Sequence, residues 1–531
     1  MSWRPLFLSF IAVELLSLTA YFFPWLNAAG FVVLISAALI LSIKRLEYGL
    51  YFVLAELILG GKGYLFSANL GGTEISLRMG LFVVVMAVWI GKMVVHRLHN
   101  PSSPPLILRR GNWKILKWWG LLGATVIWGL IIGFLRGNDF SNLFLDANGY
   151  FYAVMILPFM WIFYPRHPEE WDDEGSPASV GTHTCEISHF VRNDKLNCFF
   201  MVLLTATAWL AIKTLLVVYF FTHVNNIFFA ANLESFYRWV RDTGVGEITW
   251  LPGNFARVFF QSHIYNIAAL FFLLITLISH SHIPSKGGQA HNVRMKIYTW
   301  LLLALNFAVI IISLSRSFWV GVIIGFVVVM YFAWRQHYLK RLSSTIFITL
   351  ALAGLMLIIV ARFPLPRPSV LDLSATTKSR LEFESAASSR WNLLPPLWQT
   401  IKKHPILGNG LGTTVTYISH DPRVREQDPT GKYTTYAFEW GWLDLWLKFG
   451  LLGIAAYLLL LYQLARHFWQ TKNEALSIAS LAIIFSLAAI HFFTPYLNHP
   501  LGFGLLILLT IICLKHSPKI SDIPAEIPAH S

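Results

Sequence analysis

A few ionisable side chains stand at the edges of long apolar runs, where charge is costly and usually marks a pathway or a site. Arg257 lies in GNFARVFFQSHIYN and Arg316 in ISLSRSFWVGVIIGF. Arg390 and His404 lie in SSRWNLLPPLWQTIKKHPILGNGLG, and Glu439 and Asp444 in YAFEWGWLDLWLKFGLLG. Arg316 falls at the junction of two apolar helices with almost no loop to carry it into water, so its guanidinium is expected to point into the bundle. A buried guanidinium needs an anion, and five donors in a rigid fork suit a phosphate. The competing reading is an arginine that snorkels, stem buried and head at the interface. Arg257, a turn or so before a span, reads as either an anchor or a ligand; beside Arg316 it forms the second half of a clamp. Glu439, among Phe438, Trp440 and Trp442, is expected to be partly desolvated, as suits a general base. An interfacial acid paired to an arginine for structure explains it equally, and the aromatics fit an interfacial belt. His404, before a proline, reads as a turn residue more readily than as a base, and Lys402 and Lys403 as solvated or facing headgroups.

These residues need a membrane scaffold to hold them. The chain has 531 residues, of which 56% are hydrophobic and 13% charged, where a soluble protein carries about a quarter charged. Apolar runs near the ~20 residues that cross the hydrocarbon recur along it. Candidate spans are 5–26, 29–43, 46–60, 79–95, 116–135, 150–164, 197–221, 262–280, 297–314, 318–334, 343–362, 442–465, 475–494 and 500–514. The second and third are short enough to form a re-entrant hairpin. The expectation is therefore an all-α, polytopic integral membrane protein with about 12–14 transmembrane helices. The run from Leu6 to Leu26 is longer than a signal-peptide core and reads as an anchor.

The net charge of +14 follows the loops rather than any nucleic-acid-binding patch. With the N-terminus inside, the inner segments carry 22 Lys and Arg, from Arg4 to Lys519. The outer ones, apart from the long loop, carry Lys62, Arg78, Arg136, Arg238, Arg241, Arg257 and Arg316, which is 7. The bias puts both termini inside and the long loop outside. It also leaves room for an anionic substrate such as a lipid pyrophosphate.

The chain divides into an N-terminal helix bundle (1–362), a long outer loop or lid (363–441), C-terminal transmembrane helices (442–514) and an inner tail (515–531). Within the bundle, 222–261 is amphipathic and aromatic and is expected to lie along the interface. The polar, acidic stretch 165–196 reads as a flexible loop. The long loop opens on the proline-stiffened FPLPRPSV, is helix-compatible from Lys378 to Lys403, and turns at HPILGNGLG. A loop of such length usually serves as a lid or binding site. Three cysteines, Cys185, Cys198 and Cys513, form no metal or disulfide pattern. No P-loop, dinucleotide fingerprint or HExxH motif is present, so no cofactor and no metal site are expected.

SRSFWVGVIIGF, SRWNLLPPLWQTIKKHPILGNGLG and EWGWLDLWLKFGLLG resemble, in order and spacing, the shared block of the O-antigen ligase and Wzy-type polysaccharide polymerase superfamily. The block covers roughly 310–465, and the many-helix layout extends the likeness along the chain. The resemblance implies a metal-independent, membrane-embedded glycosyltransferase of the GT-C kind in the bacterial inner membrane. Its donor would be a glycan on undecaprenyl pyrophosphate, its acceptor a glycan or lipid-glycan, and its active site periplasmic. Other polysaccharide-assembly proteins would be partners. In that family two arginines hold the pyrophosphate; Arg257 and Arg316 match their positions, and Arg390 matches the arginine of the loop helix. Ligases usually carry a histidine eleven residues before the glycine of GLLG, and counting back from Gly450 gives Glu439. A glutamate can take a proton from a sugar hydroxyl, and the departure favours a polymerase or another exopolysaccharide transferase over a ligase. The rival class is a flippase or transporter, for which Glu14, Glu56 and Lys213 are the polar residues at membrane depth.

Overall fold

The computed structural model describes residues 2–71, 73–99, 113–163, 194–223, 233–251, 255–279, 289–362, 385–420, 422–472 and 474–515. Most of the 165–196 loop, the FPLPRPSV exit with the residues up to 384, Cys185 and nearly all of the tail lie outside them.

The elements in order are α1 (Trp3–Phe22), α2 (Pro24–Lys44), α3 (Leu46–Leu59), β1 (Ser67–Leu70), β2 (Thr73–Ser76), α4 (Leu77–His99), α5 (Trp113–Leu135), α6 (Phe140–Phe151), α7 (Ile156–Phe163) and α8 (Asp194–Thr222). Then follow α9 (Leu233–Asp242), β3 (Gly246–Leu251), β4 (Phe255–Phe260), α10 (His263–Ser279), α11 (Gln289–Ile312), α12 (Arg316–Arg335) and α13 (Leu339–Arg362). The last group is α14 (Ser385–Lys403), β5 (Val415–Ile418), α15 (Pro422–Gln427), β6 (Lys432–Thr435), α16 (Gly441–Gln470), α17 (Ala475–Phe493) and α18 (Pro500–Lys515).

Among the described residues, ten helices are long and apolar enough to cross a membrane, and three shorter apolar ones lie within α10, α11 and α18. The protein is an all-α polytopic membrane protein. The re-entrant-hairpin expectation is not met for the second run. It extends to 21 residues because Pro24 opens it in the first turn, where a missing N–H costs nothing. α3 stays at 14 residues, most of them buried, Glu47 and Glu56 included, and so lies among other helices rather than against lipid. The apolar stretches of α8 and α17 are 78% and 72% buried, while those of α4 and α13 are 17% buried. The former form the interior and the latter present Val83, Phe347 and Ile358 outward, as a lipid-facing surface requires.

Close packing without a hydrophobic drive between helices relies on small residues. Gly321 and Gly325 supply them on α12, where a Cβ would overlap Ile490 at the first and Phe271 at the second. The Ser486 hydroxyl donates to Gly321 O at 2.7 Å. This contact packs the second turn of α12 against α17.

Three antiparallel hairpins, β1–β2, β3–β4 and β5–β6, connect helix ends on one side of the bundle, together with α9 and α14. Within 222–261 the described residues form a helix and a hairpin. α9 is amphipathic and held by Trp239 Nε1 donating to Ser17 Oγ at 3.2 Å, and 246–251 pairs with 255–260 as an antiparallel hairpin. Strict alternation explains it: Ala256, Val258 and Phe260 are fully buried, with Arg257 and Phe259 on the other face.

Candidate active site

Arg257 sits in mid-strand, paired with Thr249. Its Nε donates to Ser313 O at 2.8 Å, and its guanidinium lies 5.0 Å from the centre of the Phe259 ring. That ring continues to Phe318 at 5.4 Å, and Phe318 to Tyr496 at 5.9 Å, so an aromatic row ties the hairpin to the first turn of α12. Burial lowers the pKa of Arg257; Glu247 opposes this, and Arg390 and Arg316 lie close enough to lower it further. An arginine stays cationic at neutral pH even so. Three guanidinium groups therefore share one region of positive field.

Arg316 opens α12. The turn before it places Leu314 at φ 45°, a left-handed conformation that is uncommon for a branched side chain and persists only when surroundings fix it. The fixing contacts are hydroxyls. Ser315 and Ser317 share a hydrogen bond of 3.0 Å, and Thr494 Oγ1, just past α17, donates to Ser317 Oγ at 2.9 Å. The structure differs from the expectation that Arg316 points into the bundle. The inward positions go to Ser317 and Phe318, which leaves Arg316 exposed at the bundle's end. There it adds to the positive end of the α12 dipole.

Arg390, on α14, forms an ion pair through Nε with Glu439 Oε2, the two side chains being 43% and 50% exposed. Glu439 is thus less desolvated than expected. Residues 438–440 precede α16 as non-helical chain, so Phe438 and Trp440 turn inward and are buried while the residue between them turns out. Trp440 anchors this piece: its Nε1 donates to Arg390 O at 3.0 Å, and its ring packs on Phe492 and Phe493. His404 is not brought to this group. It follows α14, fourteen residues from Arg390, which at 1.5 Å per residue is roughly 21 Å along the helix, and it is exposed.

A second set of charged residues, missed from the sequence except for Asp444, lies buried behind the first. Lys448 Nζ is 2.6 Å from Asp146 Oδ1 and 2.7 Å from Asp444 Oδ1. Asp444 also accepts from Asn498 Nδ2, and Asp146 Oδ2 accepts from the Gly412 amide at 3.0 Å. Asp444 and Lys448 are four apart on one helix, a spacing that signals a pair; Asp146, in FSNLFLDANGYF, carries no such signal.

The HPILGNGLG turn packs backbone to backbone here. Asn409 N donates to Leu447 O at 2.6 Å, Gly410 N to Lys448 O at 3.0 Å, and Leu411 N to Gly129 O at 2.9 Å. Gly410 has φ 86°, and a Cβ on it would overlap the Gly133 backbone, so only glycine fits. α16 breaks where the turn docks: Gly450 has φ 68° and ψ −165°, and Leu451 N donates to Pro405 O at 3.0 Å in place of a helical acceptor.

The polar residues at membrane depth pair with each other. Lys213 Nζ lies 2.5 Å from Glu14 Oε1, and Arg78 holds Glu56 through two bonds of 2.8 and 2.9 Å. Among the described residues, no group of three or more His, Cys, Asp or Glu could hold a metal ion.

Residues 301–458 match the family model for O-antigen ligase. The segment includes Arg316, Arg390, His404, Glu439, Asp444 and Lys448, while Arg257, Asp146 and Asn498 fall outside it. No curated protein and no solved structure matches the chain. The match bears out the resemblance to the O-antigen ligase and Wzy-type superfamily, and it indicates a ligase- or polymerase-type function in a multi-pass membrane protein.

Proposed function

We propose that this protein is a glycosyltransferase on the periplasmic face of the bacterial inner membrane, moving or polymerising glycan repeat units from undecaprenyl-pyrophosphate-linked donors. The observation that carries the reading is that Arg390 pairs with the Glu439 carboxylate while Arg316 and Arg390 lie within electrostatic reach of Arg257 at one end of the bundle. An acceptor hydroxyl oxygen attacks the donor sugar at C1 as the bond from C1 to the phosphate oxygen breaks. The electron pair leaves with the pyrophosphate, whose charge Arg257 and Arg316 neutralise. Fixed positive charge where negative charge develops is usually the largest catalytic contribution. Glu439 takes the hydroxyl proton, and Arg390 holds that carboxylate in place until the acceptor arrives. The scheme routes no step through a metal or cofactor. The 363–441 segment acts as the lid, and both termini are cytoplasmic.

The test is to delete the gene and size the lipid-linked glycans that accumulate, then restore it with wild type or Arg316→Ala. Single repeat units stranded outside mean a polymerase, and the reading favours this outcome because glutamate stands where ligases usually have histidine. Long chains still on the carrier mean a ligase. Units stranded on the cytoplasmic face mean a flippase and overturn the reading. Against a flippase stands the mutual pairing of Glu14 with Lys213 and Glu56 with Arg78, which leaves these groups engaged with each other rather than lining a path.

A further inference from the structure

The face of α14 beyond Arg390 carries a groove of about 500 Å³, lined by Trp391, Asn392, Pro395, Pro396, Tyr417 and Ile418. That volume is within the roughly 300–1,000 Å³ of small-ligand sites. Two features set it apart from the lipid-facing surface. One wall is a polar hairpin: β5–β6, which supplies Tyr417 and Ile418 to the groove, also carries the Thr416 and Thr434 hydroxyls, 2.7 Å apart and exposed, and the Tyr433 ring edge-on to Tyr417 at 5.9 Å. Its floor is aromatic yet open. Trp391 is 64% exposed although its ring is held edge-on against buried Trp440 at 5.6 Å.

A rigid, exposed aromatic face, with the Asn392 amide in its lining and hydroxyls on the hairpin that forms its wall, suits a ligand having one apolar face and a polar edge. A sugar ring has both. We infer that this groove binds an oligosaccharide and that it is the subsite for the acceptor glycan. The assignment to the acceptor rests on the proposed function. Trp391 follows Arg390, the ion-pair partner of Glu439, and packs on Trp440, the residue after Glu439, so one end of the groove is tied on both chains to the neighbours of the carboxylate proposed to deprotonate the acceptor hydroxyl. Asn392 Nδ2, donating to Ile418 O at 3.2 Å, locks the helix to the hairpin and keeps the groove preformed.

The experiment uses the full-length protein in nanodiscs and two probes. One is oligosaccharides of a few sugars released by mild acid from the surface polysaccharide of the producing cell; the other is undecaprenyl pyrophosphate without sugar. Wild type binds both. Trp391→Ala weakens oligosaccharide binding about tenfold and leaves undecaprenyl pyrophosphate binding unchanged; Trp391→Phe retains most of it. Ile418→Arg, at an exposed position that the fold tolerates, obstructs the groove and repeats the Trp391→Ala result. Arg316→Ala gives the reverse pattern. In transfer assays Trp391→Ala raises the KM for the acceptor about tenfold and leaves the KM for the lipid-linked donor unchanged. Absence of oligosaccharide binding to wild type, or binding that survives both groove variants, overturns the subsite. Absence of undecaprenyl pyrophosphate binding alone overturns the pyrophosphate reading and leaves the groove standing. A KM effect on the donor instead of the acceptor overturns the acceptor assignment.

Discussion

Lys448 stands between two carboxylates, 2.7 Å from Asp444 one turn earlier on α16 and 2.6 Å from Asp146 on α6, with its side chain 1% exposed. Asp146 in turn holds the Gly412 amide. A single buried cation thus joins the broken helix, a neighbouring helix and the glycine turn. Removing it strands two buried carboxylates, a loss of about 3–5 kcal/mol. Lys448→Met is expected to lower the thermal unfolding midpoint of the purified protein sharply, and Asp444→Asn to lower it less. An unchanged midpoint for Lys448→Met would show that the cluster is hydrated in solution.

Gly410 offers a backbone test of the same junction. Gly410→Ala adds a Cβ that overlaps Gly133 and imposes a left-handed strain of roughly 1–2 kcal/mol. The expected outcome is loss of folded protein in size-exclusion profiles. Gly120→Ala, where a Cβ meets nothing within 4 Å, is expected to be neutral or slightly stabilising, by roughly 0.5–1 kcal/mol.

Arg316 separates charge from shape. Arg316→Ala is expected to abolish transfer, a drop of at least about 10²-fold, with normal membrane insertion. Arg316→Lys keeps the charge but not the planar fork and should stay badly impaired. Wild-type transfer by the lysine variant would argue against bidentate recognition of the pyrophosphate.

Glu439 and Arg390 distinguish a working carboxylate from a structural pair. Half-exposed ion pairs contribute about 0–1 kcal/mol, so Glu439→Gln should leave thermal stability almost unchanged. Loss of a general base should nevertheless slow transfer by about 10²–10⁴-fold. If stability falls and transfer does not, the pair is structural.

Orientation is checked by labelling. In a background free of native cysteines, a membrane-impermeant maleimide is expected to reach Arg425→Cys from the periplasm and Lys472→Cys only after the membrane is opened. The opposite pattern would invert the topology.

What could be read in the sequence follows from the range of each interaction. Hydropathy is local, so the spans were legible, and so was Arg316, because a lone cation between two apolar runs is conspicuous. The inward direction expected of it was wrong, because that depends on Leu314 taking a positive φ and on Thr494 bonding Ser317 from another helix. Arg257 was found, but not its strand, since alternation over six residues is a weak signal beside an apolar helix. The Lys448–Asp146 bond spans 302 positions, and no local pattern in α6 points to it. The Asp444–Lys448 half carried a signal in its spacing of four, but only Asp444 was picked out from the sequence.

The glycine turn also bears on how the protein is made. Asn409 is held by Leu447, 38 residues further along, and its neighbours close on Lys448 and Gly450. As the chain emerges from the ribosome, the turn therefore meets its α5 partners before its α16 partners have been synthesised. Arg257 and Arg316 have been synthesised by then, but the turn at Arg316 still lacks Thr494, and Glu439 and the break at Gly450 are yet to come. The cluster of Arg257, Arg316, Arg390 and Glu439 is thus completed late, and the nascent protein does not hold it in its final form until α17, one of its last spans, has been threaded into the bilayer.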